Sequence, residues 1–170
     1  VIENFMIQAG DPNSKNAKVG AQLGEGDLTY TVQAEFRDSL YHKKGVLAAA
    51  RDNNPEKASS ASQFYIVQGK KFSDAQLDSL EDKRLHYALP HGQREVYKNT
   101  GGSPHLDGNY TVFGEIVQGL ALVDTISSLS VDENNRPHTD VKITLSLLKN
   151  RAARRLEKEF KNKQILISPY

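Results

Sequence analysis

With 170 residues, no cysteine and a net charge of +1, the chain holds enough sequence for one ordinary domain with its own core. The missing thiols exclude disulfides, thiolate catalysis and Cys-ligated zinc. The near-neutral charge gives no push toward nucleic acid or a membrane surface, and no apolar run approaches the ~20 residues that a transmembrane helix needs.

Val1 to Ala9 reads as a strand, with Phe5 and Ile7 on one face and Met6 and Gln8 on the other. Gly10-Asp11-Pro12-Asn13 ends it with turn chemistry. The loop spotted with Gly20, Gly24 and Gly26 lacks the Lys-Ser/Thr of a phosphate-binding loop and leads into no helical pattern, so it reads as a mobile loop. Over Leu28 to Phe36, Leu28, Tyr30, Val32 and Ala34 alternate with polar neighbours and predict a half-buried strand or extended segment. Tyr41 to Gly45 is a turn. Val46 to Ala50 is a run of small apolar residues, suited to a buried strand that something packs against closely.

Ala61 to Val67 is the stretch around which the rest is organised. Its parity puts Gln63, Tyr65 and Val67 on one face and Phe64 and Ile66 on the other. A buried amide needs partners, so Gln63 beside Tyr65 marks a face where something binds. Residues 69–102 then read as an insertion. Ser73 and Gln76 form a capping box, and a helix runs from Asp74 to Leu85 with Leu77, Leu80 and Arg84 along one side. Pro90 breaks it, and Arg94 to Lys98 is a last turn before Gly101-Gly102. His105 to Gly114 reads as a turn and a strand, with Asp107-Gly108 as a hairpin dipeptide. Gly119 to Ser128 is a short helix whose buried stripe is Leu122, Val123 and Ile126. Val141, Ile143 and Leu145 alternate as a closing edge strand. Leu148, Ala152, Leu156 and Phe160, at spacing four, predict an amphipathic helix ringed by arginines and lysines with glutamates interleaved. Ile165-Leu166-Ile167 is open to a final strand or to a loose end. His86, His91 and His105 match no common ligand spacing, so no metal is predicted.

Four words of this sequence, in order, resemble the cyclophilins, the cyclophilin-type peptidyl-prolyl cis-trans isomerases. They are Asn4 to Pro12, Gly45 to Ala50, Ser62 to Ile66, and Leu106-Asp107-Gly108 with Val112-Phe113-Gly114. The resemblance covers residues 1–69 and 103–146. It implies a mainly β, cyclophilin-like β-barrel over residues 1–146, with an inserted helix at 69–102 and a C-terminal helical extension at 147–170. It also begins partway into the family's domain. The expected barrel is therefore incomplete at its N-terminus, and the family's catalytic arginine falls immediately before Val1. The insertion and Tyr110 to Gly114 look more like bacterial members than eukaryotic ones.

The resemblance implies a function, proline isomerisation during protein folding. An X-Pro bond rotates over tens to hundreds of seconds because amide resonance must be broken. A catalyst must bind the twisted amide better than either planar form. That asks for an apolar socket for the ring, a grip on the neighbouring backbone, and a donor near the proline nitrogen. Phe5, Met6, Tyr65 and Leu106 match the family's socket, in which Phe usually stands at the position of Tyr65. Gln8 and Gln63 match its backbone-holding amides, and an amide can both donate and accept. Ala50 and Arg51 fall where the family offers main-chain contacts to the residue before proline, Arg51 replacing a common Asn. His105 stands where many members have Trp, and Tyr110 where many have His, so cyclosporin-like ligands should bind weakly. Neither Arg37 nor Arg51 matches the catalytic arginine. No cofactor is implied, the expected partners are proline-containing segments of unfolded or flexible chains, and the protein is expected to be a monomer, with the periplasm or envelope favoured over the cytoplasm. Two rival functions remain open: a proline-peptide-binding chaperone or adaptor without turnover, and a nucleic-acid binder acting through the basic tail.

Overall fold

The computed structural model describes residues 1–167, and the chain divides after Thr139 into a larger unit and a smaller one that begins at Asp140. The larger unit is built on a four-stranded antiparallel sheet in the order β1 (Met6–Ala9), β5 (Phe64–Val67), β3 (Val46–Ala49), β6 (Val112–Glu115). These strands form an open sheet; no closed barrel is formed among the described residues. Two short strands, β2 (Thr31–Val32) and β4 (Ser59–Ser60), pair apart from it. Helices α1 (Asp74–Leu80), α2 (His91–Asn99) and α3 (Ala121–Ser127) complete this unit.

Register explains where the site forms. Gln8 lies opposite Tyr65, Tyr65 opposite Ala48, and Ala48 opposite Val112, so one cross-strand row runs over the inner face of the sheet. The core beneath it is Val46, Ala48, Tyr65, Val67, Leu106 and Val112. Val67 and Ala48 are fully buried, and each fully buried Val or Leu contributes about 1.5–3 kcal/mol. A bulge between Leu47 and Ala48 shifts the β3–β6 pairing. That bulge lets both Val112 and the preceding Thr111 be buried, while Phe113 is exposed.

The insertion is hung from a neck. Lys70 and Gly102 exchange backbone hydrogen bonds of 3.2 and 3.0 Å. Gly69 has φ +61°, and a Cβ there would sit 2.3 Å from the Gly102 backbone, so only glycine fits. Beyond the neck, Leu77, Leu89 and Tyr97 form a separate core with Tyr41, Phe72 and Leu85 against it.

Several expected elements are corrected. The first strand starts only at Met6, because Asn4 adopts φ +62° and Ile2 to Met6 close a tight turn. The strand predicted over Leu28 to Phe36 shrinks to Thr31–Val32, since its one partner is the two-residue β4; Tyr30 and Val32 are exposed. The helix beginning at Asp74 ends in a π turn over Glu81–Leu85 and stops at His86, whose φ is +60°. Pro90 does not end the helical region. It starts α2, a second helix of nine residues, where a last turn was expected, since proline at a helix start loses no hydrogen bond. Asp107-Gly108 does not join two paired strands; it carries the chain from a 3-10 turn at Pro104–Leu106 toward β6, whose partner is β3. In α3, Val123 is buried but Leu122 is 60% exposed. Residues 141–145 form no ladder among the described residues, and Val141, Ile143 and Leu145 are exposed.

In the smaller unit α4 (Asn150–Ile167) is the predicted amphipathic helix, and Arg155 pairs with Glu159 across one turn at 2.9 Å. It runs through Ile165 to Ile167, so no final strand forms there.

Candidate active site

A cavity of about 240 Å³ opens at the row just described. Phe5, Met6, Tyr65 and Leu106 line it as an apolar group, and Gln8, Gln63, Ala50, Arg51 and Tyr110 line it as well. Nine of the ten residues singled out in the sequence thus meet around one space. His105 does not line it. Its ring packs against Phe5 from behind, with centroids 5.5 Å apart. Burial, helped by Arg84, lowers the His105 pKa from 6.5 to about 4. Gly24, Asp27, Asp52 and Ser60 also line the cavity and had no signal in the sequence. Gly24, Asp27 and Asp52 arrive from loops and Ser60 from β4, segments that only the fold brings near.

The two amides have different tasks. Gln63 is buried, and its Nε2 donates to the carbonyls of Gly24 (3.0 Å) and Gly26, while its Oε1 accepts from Gln8 Nε2 at 2.7 Å. Its donors are consumed by the glycine loop. That loop is pinned from its other side, where the Asp11 carboxylate accepts from the Gly24 N–H at 2.6 Å and the Gly26 N–H at 3.4 Å. A Cβ at Gly26 would meet Asp11 Oδ1 at 2.2 Å, so a larger residue there would displace the carboxylate that pins the loop. Gln63 therefore acts as a brace. Gln8 is exposed, and its Oε1 has no hydrogen-bond partner among the described residues, so its carbonyl is left open at the cavity.

The backbone contacts divide similarly. The Ala50 N–H donates to Gln63 O at 3.0 Å, and the Ala50 carbonyl accepts from Ser60 N at 2.8 Å. Arg51 differs: its main-chain N–H and C=O have no partner among the described residues and offer an open donor and acceptor beside the socket. Its side chain is held elsewhere. The guanidinium lies 4.7 Å over the Tyr110 ring, Nε donates to Asn109 O at 3.0 Å, and Nη1 donates to Asp52 O at 3.1 Å.

Behind the socket runs a buried relay that the sequence reading missed. Tyr65 Oη lies 2.9 Å from His42 Nε2, and His42 Nδ1 lies 2.8 Å from Asp107 Oδ1. Asp107 Oδ1 also accepts from the His42 backbone N–H, and Asp107 Oδ2 accepts from Tyr97 Oη at 2.6 Å. A carboxylate only accepts, so Nδ1 carries a proton; in the neutral ring Nε2 then accepts from Tyr65. Burial raises the Tyr65 and Tyr97 hydroxyls well above the usual phenol range, with Asp107 adding to both, so both remain donors. The relay fixes the plane of Tyr65, whose ring meets Tyr110 edge-on at 5.9 Å. One signal was available: tyrosine at a buried position where the family has phenylalanine demands a hydrogen-bond partner.

The open antiparallel sheet thus carries one apolar socket, with the Arg51 backbone groups, unpaired among the described residues, beside it. The chain belongs to the cyclophilin-type peptidyl-prolyl cis-trans isomerases: the family's model, "Cyclophilin type peptidyl-prolyl cis-trans isomerase/CLD", matches residues 1–146. A protein of Staphylococcus haemolyticus, named provisionally as a peptidyl-prolyl cis-trans isomerase, is 31% identical over 143 residues, covering 84% of this chain and 66% of its own length. A protein of Streptococcus pyogenes, named provisionally as a bifunctional phosphatase/peptidyl-prolyl cis-trans isomerase, is 34% identical over 143 residues, or 83% of this chain and 28% of its own length. The chain thus spans just under two thirds of the first relative and less than a third of the second. Among solved structures, a cyclophilin type peptidyl-prolyl cis-trans isomerase of Cryptosporidium parvum aligns with TM-score 0.50 at 22% identity, covering 80% of this chain and 62% of that one. That likeness supports the fold.

Proposed function

We propose that this protein accelerates cis–trans isomerisation of X-Pro bonds in unfolded or flexible chains. One observation carries the reading. The Phe5, Met6, Tyr65 and Leu106 socket shares its 240 Å³ cavity with the free Gln8 Oε1 and lies beside the free main-chain groups of Arg51. A proline ring seated in that socket puts its flanking peptide groups against a donor and two acceptors. The groups grip the chain while the C–N bond turns, and the walls exclude water that would favour the planar amide. No covalent step and no metal enters this mechanism.

A second reading, binding without turnover, is favoured by the state of Arg51. Its guanidinium is already engaged by two carbonyls and a ring, so it is not aimed at a proline nitrogen. The test is cis–trans exchange of a short Ala-Pro peptide by NMR, with this chain and with one extended upstream. Faster exchange with either supports the isomerase. Perturbed peptide shifts with no faster exchange in both assign a binding module.

A further inference from the structure

Beyond Tyr110 lies a second cavity of about 530 Å³, within the range of sites that hold ligands. One wall is the segment from Phe36 to Tyr41, the opposite wall is the insertion from Tyr87 to Gln93, and the floor runs from Asp107 to Val112. Phe36, Leu40 and Tyr87 are 39, 46 and 47% exposed and all face this one space. Single exposed apolar residues are ordinary, but three around one cavity are not scattered. The walls are latched in place. Gln93 Nε2 donates to Asp38 O at 2.8 Å and ties the insertion to the facing segment. Lys57 Nζ donates to Asn109 Oδ1 at 2.7 Å and lies 5.6 Å from the Phe36 ring, tying that segment to the floor. A groove already formed costs little ordering entropy on binding. Arg37 and Lys57 stand with Asp38 around it, so the lining carries both signs of charge and its apolar surface sets the preference.

Tyr110 lines both cavities, so they adjoin at one ring. We propose that the second cavity is a subsite for the same client chain, taking a large apolar side chain a few residues from the proline; this rests on the isomerase reading of the first cavity. The client threads past Tyr110, whose face is already held by Arg51. Selectivity would then come from a feature the insertion supplies, because Tyr87, Ala88, Pro90 and Gln93 all belong to it.

The test uses the full chain and two sets of peptides. One is a short Ala-Pro peptide; the others carry one Leu or Phe two to five positions from the proline, on either side. Affinity and amide shifts are followed by NMR for the wild type, Leu40→Ser and Tyr87→Ser, both substitutions being at exposed positions outside the socket. The expected result is about tenfold tighter binding of at least one extended peptide, with shifts at both cavities, and loss of that gain in either variant while the short peptide binds unchanged. Equal affinity for short and extended peptides, with residues 36–41 and 87–93 unshifted, overturns the subsite and leaves the first cavity's reading standing. Self-association of the free protein that these substitutions abolish would assign the groove to a second copy and overturn it too. If no peptide binds, both readings fail together.

Discussion

Tyr65 serves the socket with its ring and the interior with its hydroxyl. In Tyr65→Phe the ring stays, but His42 Nε2 is left buried beside an apolar edge. An unpaired buried group costs about 1–3 kcal/mol. Urea unfolding should show that loss, while peptide affinity changes less than threefold. An unchanged midpoint would mean the relay does not form in solution. Gln8 should behave in the opposite way. Its side chain is exposed and its carbonyl oxygen has no partner among the described residues, so Gln8→Ala should lower kcat/KM about tenfold, equivalent to one hydrogen bond of about 1.4 kcal/mol, with the unfolding midpoint unmoved. At this scale the sequence showed which residues gather but not their division of labour. Gln8 and Gln63 look alike as letters. Only the positions of Gly24, Gly26 and Asp11, reached by a loop with no regular pattern, make one a brace and leave the other open to the cavity.

At the scale of elements, local chemistry was read well where it is self-contained. Ser73 accepts from the Gln76 N–H and Gln76 Oε1 accepts from the Ser73 N–H, as the capping box predicts. Ser73→Ala should therefore destabilise the protein by about 1 kcal/mol, read as a shifted unfolding midpoint with isomerase activity retained. Elements whose shape depends on a distant partner were read less well. Leu28 to Phe36 has the alternation of a half-buried strand, yet alternation cannot supply a neighbour, and β4 offers only two residues. Proline was ambiguous in the same way. At Pro90 it reads equally as a stop or as a start, and the burial of Tyr97 against Leu77 and Leu89 decides for a start.

Across the molecule, the four words that carried the resemblance sit on neighbouring strands and turns around one cavity, because sheet order places sequence-distant β1, β5 and β3 side by side. Their relation to one another was legible; the second core in the insertion was not, since Leu77, Leu89 and Tyr97 are spread over two helices and a turn. Electrostatics adds a pH response. The folded state holds His105 neutral down to about pH 4, whereas an unfolded imidazole takes its proton near 6.5. The unfolded chain thus binds more protons between these values, and stability is complete above about 6.5 and falls as pH drops toward 4. Urea midpoints measured from pH 4 to 7 should decline toward acid, with a shallower decline in His105→Asn. Equal slopes would show that another group carries the response.

The paired backbone of Lys70 and Gly102 brings the chain back almost to where it left. Whatever is strung between those points must only begin and end at one spot, and the entropy of closing a longer stretch grows only as the logarithm of its length. The insertion is thereby an interchangeable cassette. Its length can change between lineages, or at an engineer's hand, without asking the sheet to shift, provided a hydroxyl remains where Tyr97 meets Asp107. The socket then keeps its chemistry, and the subsite proposed for the client rests on a piece that can be exchanged around that one bond.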